Sequence, residues 1–228
     1  VFRIDFPQSM RRMIWFGLLL SSAMLTAQDH GTYTYREWSR YGQNSPDSLA
    51  AVKNISPYYE VTYDSSRVTL VKVHSATDSL LRVIQYHYDE QNNTIGETLS
   101  DSRGNPVLET TFLEQPEDAN LLQKVYGPDF TMHATHFFSR RFFDLAQRQV
   151  RYELFAVNGK IIAHVETQYN AAGKRILEMT QDDVHHQPLE KLVYDYSGEG
   201  RYILETFDSA GKMVSRMTLF HGNQLLTP

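Results

Sequence analysis

"YHYDEQNNTIGETLSDSRGNPVLETTF", Tyr86 to Phe112, and "YDYSGEGRYILETFDSAGKMVSRMTLF", Tyr194 to Phe220, share a length of 27 residues and nearly the same order of parts. Each opens on paired tyrosines, crosses a polar turn, runs through a strand-like stretch and reaches Asp-x-x-Gly, at Asp101 to Gly104 and at Asp208 to Gly211. A side-chain oxygen at the start of a tight turn accepts backbone N–H bonds, and a glycine at its end takes the positive φ that a turn with a bulge requires. Each stretch therefore reads as consecutive strands of an antiparallel meander.

The beat continues through the C-terminal half. "FFDLAQR" at Phe142, "FAVNGK" at Phe155, "YNAAGK" at Tyr169, "YSGEGR" at Tyr196, "FDSAGK" at Phe207 and "FHGNQ" at Phe220 follow at steps of 11 to 14 residues, with one double step of 27 where "QDDVHHQ" replaces the glycine turn. Asn158-Gly159 is expected to start a turn as Asp101 and Asp208 do. Between turns the pattern has a period of two: Ile161, Ala163, Val165, Thr167 and Tyr169 oppose Ile162, His164, Glu166 and Gln168, and Val150, Tyr152, Leu154 and Ala156 oppose Gln149, Arg151 and Glu153. The expectation is one core face and one wet face. In the N-terminal half the same reading gives strands near 59–63, 67–74 and 80–88, with turns at Asp64-Ser65-Ser66 and Ser75 to Asp78. Residues 114–136 interrupt it, and the acidic start, Leu121-Leu122-Gln123-Lys124-Val125 and the Gly127-Pro128 stop predict a short helix near 117–125. The fold class expected is all-β, an antiparallel meander of roughly ten to thirteen short strands with one short helix, built as a twisted open sheet or a half-barrel gripping the helix.

Two arginines at 11 and 12, an apolar run from Met13 to Leu20 that extends to Leu25, and small residues up to Ala27 match a secretory signal peptide. That run falls short of the roughly 20 apolar residues a membrane span needs. The expected organisation is an upstream extension over 1–9 with Met10 as start, a signal peptide over 10–27 cleaved after Ala23 or Ala27, an irregular segment over 28–57 with room for one short strand or helical turn, and a repeat β-sheet domain over 58–228 with its helical insertion near 114–136. A chain of 228 residues with 41% hydrophobic and 21% charged residues buries a core, and its 14 tyrosines and 12 phenylalanines suit pleated surfaces. It contains no cysteine, so packing and sheet hydrogen bonds must hold an exported chain together, and a lipid-acylated cysteine anchor is excluded. A net charge of −5 without basic clusters removes the footprint of nucleic-acid binding.

Tyr86-His87-Tyr88-Asp89 with Asp101-Ser102-Arg103-Gly104-Asn105, and Tyr194-Asp195-Tyr196 with Asp208-Ser209-Ala210-Gly211-Lys212, resemble the YD repeats of the Rhs and teneurin families. The aromatic-x-x-Gly-Lys units also resemble MORN-type β-hairpin repeats. The resemblance covers about residues 58–113 and 142–226, and Asn92-Asn93 departs from it where the family has glycine. It implies a secreted β-sheet scaffold of the bacterial cell envelope and transfers no catalytic residue.

Residue chemistry adds no reactive constellation. His133 and His136 lack the further ligands that zinc takes, and His185-His186 beside Asp182-Asp183 reads as an exposed turn. Glu97, Glu109, Glu153, Glu166, Glu178, Glu190 and Glu205 recur at strand centres and read as a solvated ladder opposed by Arg151, Lys191 and Arg216. Phe137-Phe138-Ser139-Arg140-Arg141-Phe142-Phe143 is the densest aromatic and basic cluster, with alternate rings expected in the core and the arginines reaching to water. No phosphate loop or GxSxG turn occurs. The sequence thus assigns no catalytic, cofactor or metal residue, and it points to an exported, periplasmic or secreted binding or structural module of the envelope, without enzymatic activity, whose partner is an envelope glycan or protein. The alternative is an envelope carrier that shelters an apolar ligand such as a lipid.

Overall fold

The computed structural model of the chain describes residues 30–40, 46, 52, 57–112, 116–128, 130, 137–198 and 200–220. The proposed signal peptide, the upstream extension and the pair His133 and His136 lie outside them. Among the described residues thirteen strands occur: β1 His30–Tyr35, β2 Tyr58–Asp64, β3 Arg67–His74, β4 Leu80–Tyr88, β5 Thr94–Asp101, β6 Pro106–Thr111, β7 Phe137–Phe143, β8 Gln149–Ala156, β9 Ile161–Tyr169, β10 Arg175–Asp182, β11 Gln187–Asp195, β12 Arg201–Phe207 and β13 Met213–Phe220. The helix α1, Pro116–Tyr126, stands between β6 and β7. The order of these strands in the sheet is their order in the chain, an antiparallel meander that, among the described residues, is not closed into a barrel. The expected all-β class is therefore observed, with the helix where the acidic start and Gly-Pro stop place it.

The chain divides between Leu81 and Arg82 into two compact units. In the first, β1 pairs with β2 from His30↔Asp64 to Tyr35↔Tyr59, so the segment over 28–57, read with room for one short strand or helical turn, contains a strand. Ser65 and Ser66, with φ of 51° and 65°, make the two-residue loop of a tight hairpin between β2 and β3. Tyr35, Tyr58, Val61, Tyr63 and Val71 are buried. Tyr58 stacks on His74 with ring centroids 4.8 Å apart and donates its hydroxyl to Asp78. Burial first, and then the Asp78 carboxylate, push the Tyr58 hydroxyl up to about 12.

The second unit is organised by one turn design used repeatedly. At Asp101 the N–H of the first residue donates to the carbonyl of the fifth (Asn105, 2.9 Å), and the N–H of the fourth (Gly104) returns to the first at 3.1 Å. The Asp101 Oδ1 accepts the N–H groups of Arg103 and Asn105 at 2.8 and 2.9 Å. Asp144, Asn170 and Asp208 repeat these contacts. The fourth residue has positive φ: Gly104, Gln147, Gly173 and Gly211, and Asn92 in the turn that starts at Asp89, lie between 60° and 86°. The turn at Asn158 departs from expectation. Its first residue is Ala156, and Asn158, in third place, caps only the N–H of Lys160.

One face of this unit's sheet packs under α1. Leu121 and Leu122 meet Tyr152, Leu154, Ile162 and Ala163, with Val125, Phe130, Phe137, Ala156 and Val165 around them. Ile162 joins this cluster although simple alternation puts it opposite Ala163, because the β8–β9 register shifts between Leu154 and Phe155. Burying these side chains contributes about 1.5–3 kcal/mol for each large aliphatic one.

Candidate binding face

The face of the second unit turned away from α1 carries two rows of side chains in cross-strand register. Pairings set Tyr86 beside Glu97, then Thr110, Arg140, Glu153, His164, Gln181 and Pro188, crossing β4 to β11. The adjacent row holds Ile84, Leu99, Leu108, Phe142, Arg151, Glu166, Met179, Lys191 and Phe207. Paired residues of antiparallel strands stand about 4.5–5.5 Å apart, so each row is a continuous line of neighbours.

The rows change character along their length. Over β4–β6 a cleft of about 240 Å³ has an aliphatic floor of Ile84, Leu99 and Leu108 beside Tyr86, Glu97 and Thr110. Thr110 is buried, and its hydroxyl has no hydrogen-bond partner among the described residues. Over β7–β8 the Arg140 guanidinium lies above Phe155 at 4.9 Å and Phe138 at 5.5 Å, and those two rings stack 4.8 Å apart. Next, Arg151 donates to Glu153 and to Glu166, both at 2.7 Å. His164 Nδ1 meets the Asp183 carboxylate at 2.7 Å. Over β9–β11 a second cleft, of about 230 Å³, is bordered by His164, Glu166, Met179, Gln181, Pro188 and Lys191, with the β12–β13 turn at its rim.

The glutamates do not form one solvated ladder. Glu97, Glu153 and Glu166 lie in the two rows, and Glu153 is buried, whereas Glu109 pairs with Arg141 on the helix side. Glu190, also on that side, binds Lys124 of α1 at 2.6 Å. The aromatic-basic cluster divides in the same way. Phe137 packs with Phe130 near α1 and Arg141 lies 5.4 Å over Tyr152, while Phe138, Arg140 and Phe142 belong to the open face. His185 and His186 are exposed, yet Asp182 beneath them is fully buried and accepts the N–H groups of Val184 and His185. Burial opposes ionisation of Asp182, but those N–H groups and the His185 ring outweigh it and hold the carboxyl below its ordinary range. Among the described residues, no group of three His, Cys, Asp or Glu side chains is placed to hold a metal ion.

The sequence alone singles out Glu97, Arg140, Glu153, His164, Arg151, Glu166 and Lys191 separately and leaves Ile84, Leu99, Leu108, Thr110, Met179, Gln181 and Pro188 unmarked. The signal that joins them is the sum of turn lengths and bulges, which sets the register of each pair.

No family model matches the chain, and no curated protein matches it. Among solved structures it is similar to a porin-like protein from Bacteroides uniformis, at 11% identity and a TM-score of 0.29, over 71% of this chain and 51% of that one. The chain thus spans about half the length of that protein, and a likeness at this level carries no argument for fold or function.

Proposed function

We propose that the protein is an exported, non-catalytic binding module of the bacterial envelope that engages a glycan or protein partner through the open face of β4–β12. The observation that carries this reading is the pair of cross-strand rows. Their ionisable side chains are ordered by one another, Arg151 by Glu153 and Glu166, and His164 by Asp183. The aromatic rings beside them are capped by a cation. Ordered polar groups set beside half-buried aromatic rings are what a recognition face uses. A carrier of an apolar ligand needs a continuous apolar lining instead, and Arg140, Arg151, Glu153 and Glu166 interrupt this face. The signal-peptide pattern and the resemblance to YD repeats support the export and scaffold parts of the reading.

The test is capture from a bacterial envelope fraction on immobilised protein, with native mass spectrometry of the fresh preparation beside it. Expected are retention of a defined glycan or protein, its loss in Arg140→Glu, and an apo mass. A stoichiometric lipid in the spectrum would overturn the reading in favour of the carrier, and turnover of an envelope substrate would overturn it in favour of an enzyme.

A further inference from the structure

We propose that the cleft on β9–β11 is a saccharide subsite that seats one pyranose ring of a glycan. This rests on the binding-module reading and adds the ligand class.

A pyranose presents hydroxyls, each both donor and acceptor, around an apolar face of C–H bonds. A site for it needs acceptors and donors at the edge of an apolar floor. Six of the side chains bordering the cleft supply that set. Met179 and Pro188 form the apolar floor, Glu166 accepts, Lys191 donates, and the Gln181 amide and His164 ring do either. Cross-strand pairing fixes their layout, with Met179 between Glu166 and Lys191 and Gln181 between His164 and Pro188.

Three of the polar groups are held in place from outside the cleft. The Glu166 Oε1 is bound by the Arg151 guanidinium at 2.7 Å, His164 by Asp183 at 2.7 Å, and the Lys191 ammonium stands 5.5 Å over the Phe207 ring. His164 Nε2 faces Glu166 at 4.0 Å, so the two edges lie within reach of neighbouring hydroxyls on one ring. The Gln181 amide and the Lys191 ammonium have no hydrogen bond or ion pair with the described residues, which leaves their capacity for a ligand. A volume of about 230 Å³ fits a single ring, since pockets that enclose drug-sized ligands run to ~300–1,000 Å³.

Saturation-transfer NMR on the full chain, with the methyl glycosides of glucose, galactose and N-acetylglucosamine at millimolar concentration, tests this. At least one glycoside is expected to receive saturation on its ring protons and to shift the His164 ring resonances. The double variant Gln181→Ala/Lys191→Met should bind it at least tenfold more weakly with an unchanged circular dichroism spectrum, and Thr110→Val in the other cleft should bind as the native chain does. No transfer to any of the three, or undiminished binding by the double variant, overturns the subsite. Envelope capture that Arg140→Glu abolishes but the double variant leaves intact overturns the subsite while the binding-module reading stands. Failure of both capture and transfer brings down both.

Discussion

Tyr152 on β8 donates its hydroxyl to the carboxylate of Asp118 in the first turn of α1, and both side chains are buried. The bond ties the helix to the sheet at the end where its positive dipole favours an anion. Burial, and next the carboxylate, hold the Tyr152 hydroxyl well above its ordinary range, so it stays a donor at any physiological pH. Tyr152→Phe removes that donor and should lower stability by about 1.5–3 kcal/mol. Urea unfolding measures this, and a change under about 0.5 kcal/mol would show that the bond does not anchor α1.

Gly96 on β5 faces the backbone of β6 so closely that an added Cβ would lie 2.7 Å from the Thr110 carbonyl oxygen. Gly96→Ala should force the strands apart at a cost of about 1–3 kcal/mol. Gly104, in open space at a φ of +86°, is constrained by conformation alone, and Gly104→Ala should cost about 1–2 kcal/mol. Their separate causes are distinguished by Asn, which tolerates the Gly104 conformation and not the Gly96 contact. Thermal unfolding of Gly104→Asn should lie near the native curve and that of Gly96→Asn well below it.

Acid should loosen the turns. The Arg148 side chain and then its backbone N–H hold the Asp144 carboxyl below its ordinary value, and the Asn105 N–H does so for Asp101. A depressed folded-state pKa gives stability that is fully present above the unfolded value, about 4, and is lost as pH falls through the folded value. Stability should therefore decline below about pH 4. Asp144→Asn keeps an acceptor for Ala146 and Arg148 but cannot titrate, so its denaturation midpoint should fall less steeply between pH 4 and pH 2. An unchanged slope would show that this carboxylate contributes nothing to the acid limb.

Arg140 separates stability from recognition. Its Nε is buried without a hydrogen-bond partner among the described residues, and its guanidinium lies over the Phe138 and Phe155 rings. Arg140→Met keeps an extended side chain over the rings and removes the orphaned donor. Its stability should lie within about 1 kcal/mol of the native protein. Envelope capture should fall with Arg140→Met and vanish with Arg140→Glu. Capture by Arg140→Met equal to that of the native chain would remove Arg140 from the binding face.

Export is tested by N-terminal sequencing of the chain secreted from a bacterial host, which should begin near Met24 or Gln28. Recovery with Met10 intact in the cytoplasm would overturn it.

Strand positions were legible because turns and alternation are local. Residues 59–63 were expected for β2, which runs Tyr58–Asp64, and 80–88 for β4, which runs Leu80–Tyr88. The helix was equally legible from its caps. The faces were not. Glu97 and Glu109 sit at the same point of successive strands, yet Glu97 pairs with Thr110 and Glu109 with Thr98, so they emerge on opposite sides. A one-residue bulge, such as the shift between Thr180 and Gln181, reverses every side chain beyond it, and no residue pattern marks it plainly. The lysine that satisfies Glu190 comes from α1, a contact no strand periodicity can indicate.

A sheet whose spatial order is its chain order also has a history and a folding route written into it. Among the described residues each strand is hydrogen-bonded to the strands next to it in the chain, so a duplicated or deleted pair of strands changes the length of the sheet without rewiring the rest, as in repeat arrays. Its ladders close short loops, which favours quick zippering from several starting points over the slow search of long-range β pairings. α1 is the exception: Leu122 must find Ile162 across β7 and β8 before its cluster is complete. Growth by whole hairpins is therefore easiest away from β8 and β9, the strands the helix holds to a fixed count.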